Sequence, residues 1–456
     1  MILTDDILLQ IFVFYRHAHS DVLWEWHILV HVCRRWRQIV FESPRFLDLK
    51  IRCTTNTPVK EKLSIWPAFP IAIDFRSTFF DSIPSDAIVA FEDTGRIGYL
   101  KLDLTELRPR PWSQTFATLI SKPFPVLTHL IIHIPVEVRL APRLPDDFLG
   151  GSAPRLQISH LHNVAFPALQ TLLLSASDLV ELRLQKIPRA DVISPLEMAW
   201  CLAELPRLKT LVLQFQSEFP PHHDTPVHPP QVPVTRPVLP ALTDLEFTGP
   251  SYYLQGIVAH IDCPWLNQIT ISYMSSPRNF QFEQLFEFFN RTMPPFGHVK
   301  VYGHSRVTFD LYHHTNRTDW YSHPATTVIS CRPIMWRLFD LLNDFSVILS
   351  TVVDLKFVGK FWARNSLSGW LPFLHQLPVL QTLYVNLPHA QDLAHALISV
   401  KGEEVAQTLP CLELIGLENQ ASSIEEFVAV RQLSGRPLTV VGTEAEFDQR
   451  RTGTRI

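Results

Sequence analysis

Glycine, charge, cysteine and long apolar runs are all scarce in this chain. Of 456 residues only 15 are glycine and 18% are charged, while 46% are hydrophobic. A chain this apolar is not a disordered one. Net charge is -4, so no basic field calls for nucleic acid. The cysteines Cys33, Cys53, Cys201, Cys263, Cys331 and Cys411 stand singly, without a Cys-x-x-Cys pair. That argues against a zinc framework and a disulfide scaffold, and it fits a reducing compartment. No run of about 18 uninterrupted apolar residues offers a membrane span. The first residues lack the basic region and cleavage site of a secretory signal. The cytosol or nucleus is the location expected by elimination.

Catalytic signatures are missing too. There is no phosphate loop, Gly-x-Ser-x-Gly, His-Glu-x-x-His or dinucleotide fingerprint. No catalytic residue, cofactor or resident metal is expected. His222, His223, Asp224 and His228 are ligand-type residues, but a proline-rich loop holds fixed geometry poorly. They read as solvated, as do His313 and His314.

What the chain does have is proline, 37 of them, many at regular places. Short apolar triplets recur from residue 71 to residue 441. Among them are Ile71-Ala72-Ile73, Leu130-Ile131-Ile132, Leu156-Gln157-Ile158, Leu211-Val212-Leu213, Leu355-Lys356-Phe357 and Leu412-Glu413-Leu414. Their spacing of about 28 residues lies near the upper end of the leucine-rich-repeat range. Many share the lead-in Leu-Pro-x-Leu-x-x-Leu-x-Leu, as in Leu205-Pro206-Arg207-Leu208 and Leu377-Pro378-Val379-Leu380. The proline cannot continue a helix, so the chain must turn toward the next strand. The alternating Leu-x-Leu then points its leucines inward.

Helices are legible between the triplets. Ser194-Pro195-Leu196-Glu197 and Ser423-Ile424-Glu425-Glu426 read as capping boxes, the latter helix leaving at Gly435. Leu196, Ala199, Trp200 and Ala203 read as one buried face. So do Phe282, Leu285, Phe286 and Phe289, and again Leu393, Ala396, Leu397 and Val400. The resulting expectation is an α/β chain: a leucine-rich-repeat-like solenoid of strand–helix units over 71–445. A linker or capping segment over 51–70 precedes it. A Pro/His-rich surface loop at 217–238 interrupts it, and a frayed tail at 446–456 follows. The stretch 300–350 fits the repeat least well. Rim loops often carry binding, so Tyr252, Tyr253, Phe361, Trp362 and Arg364 are candidate substrate-binding residues.

The first fifty residues differ from the rest. Thr4 can cap a helix whose first turn holds Asp5 and Asp6, with Leu3 at the staple position. Ile7, Leu8, Ile11, Phe12 and Tyr15 follow at helical spacing. A second periodic set is Leu29, Val32, Cys33, Trp36, Ile39 and Val40. This is more apolar surface than three short helices bury among themselves.

The opening Leu3-x-Asp5-Asp6-Ile7-Leu8-x-x-Ile11-Phe12, the centre Val32-Cys33-Arg34-x-Trp36-Arg37 and the closing Ser43-Pro44 resemble an F-box over residues 1–50. Leu47-Asp48-Leu49, Thr57-Pro58 and Ile65-Trp66-Pro67 also look like F-box proteins of mushroom-forming fungi. Leu3-Thr4 stands where that family usually has Leu-Pro, and Phe46-Leu47 stands in place of its late Leu-Trp pair. The resemblance implies a three-helix F-box bound to a Skp-type adaptor and, through it, to a cullin scaffold. Its adaptor-binding residues would be Leu3, Ile7, Leu8, Ile11, Phe12, Leu29, Val32, Cys33, Trp36 and Ile39. The chain would then be the non-catalytic substrate-recognition subunit of an SCF-type ubiquitin ligase, with its repeats holding a protein substrate. A binding scaffold outside any ligase is the alternative.

Overall fold

The computed structural model describes residues 3–18, 27–43, 50–54, 59–65, 68–76, 85–103, 114–134, 143–188, 192–216, 235–274, 282–303, 306–313, 324–331, 338–359, 367–387, 389–401 and 404–452. The chain divides into two compact units. One is Met1–Ile193 with Trp200–Leu208, the other Ser194–Ala199 with Lys209–Ile456.

In the first unit three helices, α1 (Asp5–Ala18), α2 (His27–Val32) and α3 (Arg34–Glu42), precede six strands. These are β1 (Ile51–Thr54), β2 (Ile71–Arg76), β3 (Ile97–Asp103), β4 (His129–His133), β5 (Ile158–His162) and β6 (Glu181–Ile187). They pair in chain order, all parallel. The segment 51–70, expected to be a linker or capping segment, carries β1 and the helix Val59–Ile65. Only Cys33 separates α2 from α3, so no clear three-helix box forms.

The second unit carries β7 (Thr210–Phe215), β8 (Asp244–Gly249), β9 (Gln268–Tyr273), β10 (Phe296–Gly303), β11 (Val307–His313), β12 (Thr327–Cys331), β13 (Asp354–Gly359), β14 (Thr382–Val385), β15 (Leu414–Leu417) and β16 (Thr439–Val441). The order is β7-β8-β9-β12-β11-β10-β13-β14-β15-β16. Pairing is parallel except at β11, which runs antiparallel to both β10 and β12. An extra strand is therefore inserted in the stretch 300–350. It disturbs the repeat without breaking the sheet.

The recurrent lead-in is a hydrogen-bonded turn with proline in its second position, where the fixed φ of proline suits a β-turn. The leucine N–H donates back three residues in Phe124–Leu127, Ala153–Leu156, Leu205–Leu208, Cys263–Leu266, Leu377–Leu380 and Leu409–Leu412. Each of these turn leucines is buried, which is worth roughly 1.5–3 kcal/mol apiece. One carbonyl just before a strand then accepts from two successive N–H groups of the following unit. Thr128 O takes Gln157 and Ile158, and Gln157 O takes Val180 and Glu181. Lys209 O takes Thr243 and Asp244, and Gln381 O takes Glu413 and Leu414.

These turns correct two strand assignments. Leu156 and Leu412 are turn leucines, not strand residues. β5 points Ser159 and Leu161 inward, and β15 points Ile415 and Leu417 inward. Leu414 therefore lies on the far face of the sheet.

The Ser194 capping box forms as expected. Ser194 N–H donates to Glu197 Oε2 at 2.9 Å, and Glu197 N–H donates to Ser194 Oγ at 3.2 Å. These bonds hold the Glu197 carboxyl below its usual range. In that helix, Pro195–Ala203, the buried face is Met198, Ala199, Cys201 and Leu202, while Leu196 and Trp200 face outward. The Ser423 box does not form. Ser423 Oγ bonds Gln420, and the helix Glu425–Leu433 starts without a side-chain cap. Its exit is as read. Gly435 has φ 72°, and the pair Arg436 N–H to Arg431 O and Gly435 N–H to Gln432 O closes the helix end. The expected tail likewise starts as a helix, Glu444–Thr452, with Phe447 buried.

Arg431 is buried against the turn that leads into β15. Its guanidinium donates to the carbonyls of Thr408, Leu409 and Leu412, each at 3.0 Å. Arg431→Ala strands three acceptors, and a loss of about 3 kcal/mol or more is expected in urea unfolding, with Arg431→Lys falling between. A second outcome concerns pH. Burial pushes the His389 pKa down to about 4. An unfolded histidine titrates near 6.5, so the unfolded state takes the proton first. The stability His389 allows above pH 6.5 is lost as pH falls toward 4, at about 1.4 kcal/mol per unit. Unfolding midpoints measured at pH 7, 6 and 5 should fall in that order, and His389→Leu should flatten the slope.

Candidate functional site

The amino-terminal helices have an inner and an outer face. Leu8 N–H bonds Thr4 O, which starts α1 at Asp5 with Asp5 and Asp6 in its first turn. Leu8 and Phe12 point inward and are buried, and the Phe12 ring meets Trp36 edge-on at 4.8 Å. Leu29, Val30, Ile39 and Val40 are buried as well. Arg35 Nε donates to Asp5 Oδ1 at 2.9 Å, and Arg37 Nε donates to Val30 O at 3.0 Å. These two bonds tie α3 to the other helices.

The outer face is apolar and uncovered. Ile7, Ile11 and Phe14 lie at i, i+4 and i+7 of α1, 47%, 44% and 77% exposed. Leu3 precedes them, and Ile28 and Val32 make an exposed i, i+4 pair on α2. Six of the seventeen exposed large apolar residues among the described residues thus fall within Leu3–Val32. Large exposed apolar patches mark interaction sites.

The ten residues expected to hold an adaptor therefore separate. Leu3, Ile7, Ile11 and Val32 are on the surface. Leu8, Phe12, Leu29 and Ile39 are interior, and Trp36 is half-buried. Cys33 is exposed but acts as the cap of α3, its Sγ accepting from Trp36 N–H at 3.5 Å. Among the substrate candidates, Tyr252 is exposed and Tyr253 is core, 4.7 Å from the Phe215 ring. Both lie in the first turn of the helix Ser251–Val258, not in a loop. Phe361, Trp362 and Arg364 lie outside the described residues, as does 217–234 of the Pro/His-rich loop.

A polar surface that the sequence did not single out is the far face of β3–β6. Register aligns Tyr99, His129, Ile158 and Glu181 in one row, and Lys101, Ile131, His160 and Arg183 in the next. Asp103, His133, His162 and Gln185 form a third. The His133 and His162 rings stack 4.3 Å apart. Burial pushes the His162 pKa down although its Nδ1 bonds Ile134 O at 2.9 Å. His160 Nε2 lies 2.9 Å from Glu181 Oε1, which Arg183 also bonds. Burial alone would raise the Glu181 carboxyl, but those two partners outweigh it and hold it low. The signal was the alternation His-x-x-x-His at 129–133 and His-x-His at 160–162. Only the strand register turns it into one surface.

Chemistry at the described residues is sparse. No group of three or more His, Cys, Asp or Glu among them is placed to hold a metal ion. The buried thiols of Cys263 and Cys331 are pushed up to about 12, protonated and poor nucleophiles at neutral pH. No helix among the described residues is long and apolar enough to cross a membrane. No protein-family model matches the chain, and no curated protein matches it.

Proposed function

We propose that the chain is the substrate-recognition subunit of an SCF-type cullin ubiquitin ligase. Its amino-terminal helices form the F-box that docks on a Skp-type adaptor, and its leucine-rich-repeat-like ladder holds a protein client. The observation that carries this is the stripe Ile7–Ile11–Phe14, left exposed while its neighbours Leu8 and Phe12 close the inner face. The F-box-like motif lies on these same helices, ahead of a strand–helix ladder. The chain forms no covalent bond in this role. It brings client and ubiquitin-carrying enzyme together, replacing a bimolecular encounter with a high effective concentration. The His-rich far face of β3–β6 is the first place to look for client contacts.

One observation favours the second reading, a binding scaffold outside any ligase. With Cys33 alone between α2 and α3, the segment does not form a clear three-helix box.

The test is co-purification of the chain with the adaptor, using Ile7→Asp/Ile11→Asp. Leu8 is unsuitable, because an aspartate there attacks the fold. Losing two central anchors should cost about 3 kcal/mol, roughly a 100-fold drop in affinity. Leu433→Asp, at a residue 90% exposed elsewhere, should change nothing. Unchanged adaptor binding by the double variant counts against the ligase reading.

A further inference from the structure

The far face of β13–β16 is covered by a helix of this same chain. Four residues of Glu444–Thr452 reach it: Glu444, Phe447, Asp448 and Arg451, at i, i+3, i+4 and i+7 on one side. Lys356 Nζ lies 2.7 Å from Glu444 Oε1 and 3.1 Å from both carboxylate oxygens of Asp448. Arg451 Nη1 lies 3.6 Å from Asp354 Oδ2. Phe447 sits among Tyr384, Leu414 and Val441, with its ring 5.2 Å from that of Tyr384. Gly416 makes the slot. A Cβ there would stand 2.5 Å from the Tyr384 ring and 2.9 Å from the Phe447 ring.

This covering helix is tied down like a ligand. The other face of these strands is closed without it, with Phe357 against Trp370 and Phe373 and with Leu383 and Val385 buried. It inserts an aromatic anchor, Phe447, and adds ion pairs through Glu444, Asp448 and Arg451, which are 47%, 25% and 7% exposed. Beneath it lies a ready-made recognition row: Lys356, Tyr384, Gly416 and Val441, in register across four strands. Lys300 continues the row on β10.

We propose that this face is a docking groove for an acidic amphipathic helix of a partner protein, with carboxylate, aromatic and carboxylate at i, i+3 and i+4. The helix Glu444–Thr452 is its intramolecular stand-in, which the partner displaces. Charge complementarity selects the partner: a carboxylate pair meets Lys356 while the aromatic ring enters the slot over Gly416. The ligase reading is not needed for this, so either can fail alone.

The experiment uses the full chain and an opened form, Phe447→Ser/Asp448→Lys. The probe is a labelled peptide of residues 443–452. A second peptide keeps only Glu, Phe and Asp at those spacings on an alanine background, and a third is scrambled. The first two should bind the opened form at least tenfold tighter than wild type, the scrambled one should not, and adding Lys356→Glu should abolish binding. Hydrogen exchange of unmodified wild type keeps the idea testable should the opened form not fold. Amides of Glu444–Thr452 should exchange at least 100-fold faster than those of β13 and β14. Exchange as slow as those strands, or no binding to a folded opened form, overturns the proposal.

Discussion

The structure depends on backbone bonds that link successive strand–helix units. A carbonyl at the end of the lead-in turn, such as Gln381 O, accepts two successive N–H groups from the following unit. No unit buries its apolar face alone, so each is stable only when a neighbour supplies those donors and covers its leucines. The proline turn sets the carbonyl's position, and the turn leucine anchors it. Side-chain identity elsewhere is freer, and units of unequal length still dock. Parallel pairing continues on both sides of the inserted β11, because β12 presents a parallel edge to β9 and β10 presents one to β13.

Both units turn a regular inner face into two kinds of outer surface. Where outward strand positions are polar, as at His160 and Glu181, the side chains stay part-exposed. Where they are apolar, at Tyr384, Leu414 and Val441, the chain covers them with its own helix. The stripe on α1 is the exception, since Ile7, Ile11 and Phe14 are apolar and have no cover. Hydrophobic burial strongly favours covering such groups, which is why the stripe is the proposed seat of a second polypeptide.

Much of the ladder was legible because Leu-x-Leu alternation and proline-marked turns are local signals. The helix faces at Phe282–Phe289 and Leu393–Val400 were legible for the same reason. Strand register was harder to read. Leu156, Leu208 and Leu412 all close their turns two residues before a strand, but Ile158 and Leu414 follow the first and last at Leu-x-apolar spacing, which imitates the inward alternation of a strand. β11 was missed because a template of about 28 residues leaves no room for a strand four residues after the last. The covering helix was missed because Glu444–Thr452 has a single large apolar residue, and its partner is a sheet face assembled from four distant segments. The F-box-like motif gave the apolar residues of α1 but not their sides. Phe12 turns inward onto Trp36 and Leu8 is buried on the same side, and adjacent Ile7 and Ile11 are thereby turned out.

The central claim is that another polypeptide covers the outer stripe of α1. Hydrogen exchange of the full chain with and without a purified Skp-type adaptor measures this directly. The account predicts new protection across Ile7–Phe14 and Ile28–Val32, with the strands unchanged. Protection confined to the strands, or none at saturating adaptor, would contradict it.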